Sequence, residues 1–149
     1  MAKISQKSND YWTFRCYGSH GGERGIHAWY GGLRPEVQAA FDAAMETLAA
    51  SRRSTWPGLY EELRGSGEGL TKIEIAVPKL GADPDSEDDD DMEQHRILCF
   101  EGPNRNEITL LYGFEKNIDS DYGPAIRSAL KRKDGVLRDG NRAQPCNFP

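Results

Sequence analysis

Two apolar runs, Ile97 to Phe100 and Ile108 to Phe114, constrain this chain more than any other feature. They are separated by the turn signal Gly102-Pro103-Asn104. Short apolar or β-branched runs joined by a Gly/Pro/Asn loop predict a β-hairpin. Both runs are nearly continuous in apolar character, as expected of central strands covered on both faces. Basic residues sit near the start of the first strand (Arg96), in the turn (Arg105) and at the end of the second (Lys116). The hairpin is therefore the expected centre of the core and of much of the chemistry.

The other elements are read around it. Tyr11 to Tyr17 alternates aromatic with smaller or polar residues and predicts a first strand. The loop Gly18 to Gly25 holds four glycines but no following Gly-Lys-Ser/Thr, which argues against a phosphate-cradling loop. From Leu33 to about Arg53, apolar residues at Leu33, Val37, Phe41, Ala44, Met45 and Leu48 predict an amphipathic helix. Pro35 and Glu36 suit its first turn, and Arg52 and Arg53 its last. Pro57 to Leu63 reads as a short helical or turn segment, and Leu70 to Val77 alternates as a second strand. Tyr122 to about Lys133 predicts a closing amphipathic helix, with Val136 and Leu137 able to add an apolar turn.

Charge is unevenly placed. Eight of the 24 acidic residues fall between Asp83 and Glu93, so the remainder carries 19 basic against 16 acidic side chains. The net charge of −5 thus hides a mildly basic body, which permits nucleic-acid binding. The acidic segment reads first as a solvated, solubilising loop. A second reading is that it folds over the basic face and mimics RNA phosphate; its spacing does not suit Ca²⁺. The length fits a single domain over 1–137, with the acidic insertion at 81–94 and a polar, poorly ordered tail over 138–149. No run of about 18 apolar residues occurs, so no transmembrane helix or membrane role is expected. The N-terminus lacks the apolar core of a signal peptide. The three cysteines and three histidines are scattered, which predicts reduced thiols in a cytoplasmic protein and no metal constellation.

The order of these elements, and three stretches in particular, resembles the RelE/ParE superfamily of bacterial toxins, especially its HigB-like, phage-derived branch. Gly69-Leu-Thr-Lys-Ile-Glu-Ile75, His95-Arg-Ile-Leu-Cys-Phe100 and Leu110-Leu-Tyr-Gly-Phe-Glu-Lys116 are similar to the family's three core strands. Ile126 to Lys131 is similar to its closing helix, and Trp12, Trp29 with Leu33, and Trp56 to positions in the Trp-containing branch. The likeness covers about two-thirds of the chain. It implies an α+β fold, a small curved antiparallel sheet of about four strands with helices packed on one face. It also implies a toxin of a type II toxin–antitoxin system, an mRNA-cleaving ribonuclease without metal or other cofactor. Its partners would be a small helix-turn-helix antitoxin and mRNA, on or off the ribosome. Arg96, Lys116 and Tyr112 take the catalytic slots in that reading, and Arg105, Arg127 and Lys131 hold RNA backbone. The sequence departs from the family at three places: Glu74 replaces a strand arginine, Tyr112 a histidine and Asn117 a second lysine. Two other expectations follow from those departures: a non-catalytic prophage-derived binding protein, or a ParE-like gyrase inhibitor.

Overall fold

The computed structural model describes residues 2–3, 12–18, 25–50 and 60–148. Strand β1 is Ala2–Lys3, β2 Thr13–Tyr17, helix α1 Ile26–Gly31, α2 Pro35–Ala49, β3 Tyr60–Glu62 and β4 Thr71–Pro78. The hairpin follows as β5 Met92–Glu101 and β6 Glu107–Glu115, then α3 Tyr122–Arg138, β7 Ala143–Pro145 and β8 Asn147–Phe148. Most of the Gly18–Gly25 loop, Trp56, Arg52, Arg53 and Pro57–Leu59 lie outside the described residues.

The sheet corrects the expected architecture. It has six strands in the order β3-β4-β5-β6-β2-β7, and β2 runs parallel to β6. It is therefore mixed, where about four antiparallel strands were expected. Its helices also lie on both faces. Ile97 and Cys99 pack with Phe41, Met45 and Leu48 from α2, whereas Leu98 and Phe100 pack with Ala125, Ala129 and Val136 from α3. Successive residues of one strand point to opposite faces, so each face of β5 meets its own helical layer. That is why its apolar run is unbroken: Ile97, Leu98 and Cys99 are fully buried.

Three smaller expectations also change. Tyr60–Glu62 is an edge strand antiparallel to β4, in place of a helical turn. The C-terminal tail supplies β7, antiparallel to β2, and β8, antiparallel to β1. Cys16 and Cys146 form a disulfide, and only Cys99 is a free thiol. Burial pushes that thiol up to about 12, so it is inert at neutral pH. Helix α2 starts two residues after the expected Leu33, with Pro35 in its first turn as expected, and buries the predicted stripe of Val37, Phe41, Met45 and Leu48. No described helix is long and apolar enough to cross a membrane.

The hairpin contains one irregularity that matters for the site. Leu98 pairs with Tyr112 but Cys99 pairs with Leu110, so Leu111 is an extra residue in β6. A bulge of this kind bends a strand and re-aims the side chains beyond it. Ile108 and Leu110 face α1 and α2, whereas Leu111, Tyr112 and Phe114 face α3. The carbonyl of Leu111 accepts a hydrogen bond from Arg132 Nη1 of α3 at 2.7 Å. Two residues along, Gly113 turns back to the other face under the Trp29 ring. A Cβ there would sit 2.2 Å from Trp29, so only glycine allows this approach.

Candidate functional site

Cationic side chains from three neighbouring stretches converge on the α3 face of the sheet. Lys72 and Glu74 come from β4, Arg96 from β5, and Lys116 from the residue after β6. Glu74 and Arg96 are cross-strand partners, which places their side chains on one face. Tyr122, at the start of α3, closes the group from above. Its hydroxyl accepts hydrogen bonds from Arg96 Nε at 3.1 Å and from Lys72 Nζ at 3.5 Å. Both lysine ammonium groups lie over its ring, Lys72 at 5.5 Å and Lys116 at 5.7 Å from the centroid. Phe114 holds the ring edge-on at 5.4 Å.

Glu74 sits among these cations. Its Oε1 is 2.8 Å from Lys72 Nζ and 3.7 Å from Arg96 Nε. Burial would raise its carboxyl, but the Lys72 hydrogen bond and the charges of Arg96, Lys72 and Lys116 outweigh burial and hold it below the ordinary value. Burial likewise opposes the charge on Lys72, and Glu74 and Tyr122 more than restore it. Arg96 is the most enclosed of the cations, with its side chain 8% exposed. Its Nη1 also donates to Gln94 Oε1 and to the His95 carbonyl, at 3.2 and 3.0 Å. The guanidinium is thus fixed in direction. Lys116 is tethered to the exposed Asp119 at 3.0 Å.

The arrangement sets three cations against one inner carboxylate, with a phenol between them. Chemically it can attract a phosphodiester, stabilise added negative charge on it and accept a proton at Glu74. The Tyr122 hydroxyl accepts from two cations, which leaves its own proton available for donation.

Of the residues expected from sequence, Arg96 and Lys116 are brought together here. Tyr112 lies on the same face, but its ring contacts run to the Arg132 guanidinium at 5.1 Å and to Phe114 at 6.3 Å. Arg105 sits in the exposed turn at the opposite end of the hairpin. Five strand residues separate Arg96 from that end, roughly 17 Å. Arg127 and Lys131 are exposed one turn apart on α3. Lys72, Glu74 as a participant, and Tyr122 were not anticipated. The signal for the first two was the period-two pairing of β4 against β5, which needs a register that one sequence does not supply. No protein-family model matches the chain, and no curated protein is similar enough to count as a match.

Proposed function

We propose that this chain is a ribonuclease of the RelE/ParE toxin type, cleaving mRNA at the Lys72–Glu74–Arg96–Lys116–Tyr122 cluster. The observation that carries the reading is the convergence of three cations on one carboxylate and one phenol, at the hairpin that bears the family-like motifs. In this reaction the 2′-hydroxyl attacks its own 3′-phosphate, so the nucleophile is part of the substrate. Glu74 takes the hydroxyl proton. Arg96, with Lys72 and Lys116 beside it, stabilises the phosphorane as its oxygens gain charge. Tyr122 gives a proton to the departing 5′-oxygen, leaving a 2′,3′-cyclic phosphate and a 5′-hydroxyl. Arg127 and Lys131, exposed on α3, serve the RNA backbone electrostatically, and Arg105 reaches only the RNA beyond the hairpin turn.

A toxin of this type works in the cytoplasm and is silenced by a small helix-turn-helix antitoxin encoded beside it. A reducing cytoplasm opposes disulfides, but Cys16 and Cys146 are both buried, which slows exchange with soluble thiols. One observation favours the non-catalytic alternative. Glu74 already engages Lys72 and Arg96, so the cluster can satisfy itself without RNA.

Induced expression separates the readings. The ribonuclease reading expects growth arrest with mRNA cleaved to 2′,3′-cyclic phosphate ends, both abolished by Arg96→Ala. Arrest with broken DNA points to gyrase poisoning instead. Good soluble expression without any growth effect would sink both toxin readings and leave the binding protein.

A further inference from the structure

The strand alternation that puts Arg96 and Lys116 on the α3 face puts their chain neighbours on the opposite one. His95 and Glu115 are cross-strand partners, and Glu93 lies two residues before His95 on the same side of β5. One ligand atom from each of Glu93, His95 and Glu115 lies within 4.8 Å of the other two. Histidine and cysteine spacing alone predicted no metal constellation. The fold assembles a candidate one by recruiting two glutamates.

The state of His95 gives the cluster its meaning. Its side chain is 4% exposed, and Nε2 lies 3.0 Å from Glu93 Oε1. The nitrogen that faces Glu93 is therefore Nε2, and it is the ligand atom when its lone pair, rather than a proton, is turned to the carboxylate. Nδ1 is buried and meets no hydrogen-bond partner among the described residues. Buried imidazole nitrogens are normally both satisfied, so a structural hydrogen-bonding role leaves this ring incompletely explained. The carboxylates are prepared as well. Arg34 Nε holds Glu93 Oε2 at 2.8 Å, which leaves Oε1 turned towards the imidazole. Arg34 is itself fixed by Glu36 and by the Pro78 carbonyl. Orienting a ligand through its second oxygen is a recurrent device around bound metals. Glu115 is exposed, and the three residues share a surface pocket with Trp29, Leu33 and Phe114, which gives an ion a way in.

We propose that Glu93, His95 and Glu115 form a binding site for a divalent transition metal of the zinc, manganese or ferrous class. One imidazole and two carboxylates suit these ions better than Ca²⁺ or Mg²⁺, which favour all-oxygen sets. Thiols do not compete within the fold, since Cys16 and Cys146 are paired and Cys99 is buried. The ion would tie β5 to β6 at the open end of the hairpin, directly behind Arg96 and Lys116. Its role is a brace for the strands beneath the cation cluster. The site does not depend on the ribonuclease reading.

The test uses the full chain, freed of metal by a chelator and titrated with zinc or manganese chloride by calorimetry, with thermal melts alongside. Expected is one ion per chain, and a Tm rise of roughly 5–10 °C at a hundredfold excess over Kd. Glu115→Gln and His95→Gln should each weaken binding tenfold or more. Should the buried His95→Gln protein fail to fold, the exposed Glu115→Gln variant decides. Absence of saturable binding overturns the proposal, and so does binding that Glu115→Gln leaves unchanged, which would put the ion on the acidic segment. Binding is read without RNA. A failed titration therefore leaves any cleavage result standing, and an inactive ribonuclease leaves the titration standing.

Discussion

In the proposed ribonuclease, Glu74 is the side chain on which catalysis and mere RNA binding would separate. In the resembling family this slot holds an arginine; here a half-buried carboxylate pairs with Lys72 and Arg96, and their charges with that of Lys116 hold it below the ordinary value. Glu74→Gln removes one charge and keeps the shape. Lys72 and Arg96 then have no inner counter-charge, so RNA affinity should rise and its salt dependence steepen. If Glu74 is the proton acceptor, cleavage should nonetheless fall by roughly 10²–10⁴. Fluorescence anisotropy with a short RNA, beside a cleavage assay, reads both. Tighter binding with faster cleavage would show that Glu74 only neutralises the cluster. Gly113 is a second residue whose role is local and sharp. Gly113→Ala drives a methyl group into the Trp29 ring, and overpacking of this kind costs about 1–3 kcal/mol. Urea unfolding measures it; an unchanged midpoint would mean that Trp29 swings away freely. At this scale the sequence singled out Arg96 and Lys116, and the fold brings both to Tyr122 on one face. It was silent about the members of the cluster that depend on strand pairing. Lys72 and Tyr122 lie 24 residues before and 26 after Arg96 and meet it only through the β4–β5 register and the docking of α3.

Among the elements, the hairpin and α3 depend on each other. The bulge at Leu111 keeps Tyr112 and Phe114 on the α3 face, and Arg132 occupies the carbonyl of the bulge residue. A bulge has no signature in the apolar run Ile108 to Phe114, because both faces of that strand are buried and the alternation is not written in polarity. The junction between Lys116 and α3 is set by Asp121. Its Oδ2 accepts from the backbone N–H groups of Asn117 and Ile118 at 2.8 and 3.0 Å. The bond from Ile118, then that from Asn117, holds the Asp121 carboxyl below its ordinary value. A carboxyl depressed in the folded state stabilises fully above its unfolded pKa of about 3.9, and that contribution is lost as pH falls through the folded value. Asp121→Ala should therefore melt lower than the parent at pH 7. The gap should close in acid, once the parent carboxyl is protonated. Paired melts at pH 7 and near pH 2.5 check this, and a gap that persists in acid would mean that Asp121 acts by packing rather than by charge.

At the scale of the whole molecule, the sequence was right about most of the elements and wrong about how they are joined. Every strand of the β4-β5-β6 meander was visible as a period-two or continuous apolar run. The neighbours of β2 were not. A short aromatic strand at the N-terminal side carries no mark of which edge it will take, and taking the far side of β6 in parallel makes the sheet mixed. The unbroken apolar runs did imply two covered faces, and the structure bears that out over the one-sided packing expected from the element order and the family likeness. The polar tail concealed β7 because three residues are too few to show a pattern. It is held in place by the Cys16–Cys146 bridge, which spans 130 residues and joins β2 to the segment between β7 and β8. Closing so long a loop restricts the unfolded chain, worth at most about 5 kcal/mol in the chain-entropy model and usually about 2–5 kcal/mol when a native bridge is removed. Replacing both cysteines with alanine should lower stability by that amount. Hydrogen exchange should then rise first at β7 and β8, because β7 is a short edge strand with only β2 beside it. The β4-β5-β6 meander, its central strand buried between α2 and α3, should keep its protection until global unfolding. Uniform loss of protection across the sheet would instead make the bridge a support of the entire core.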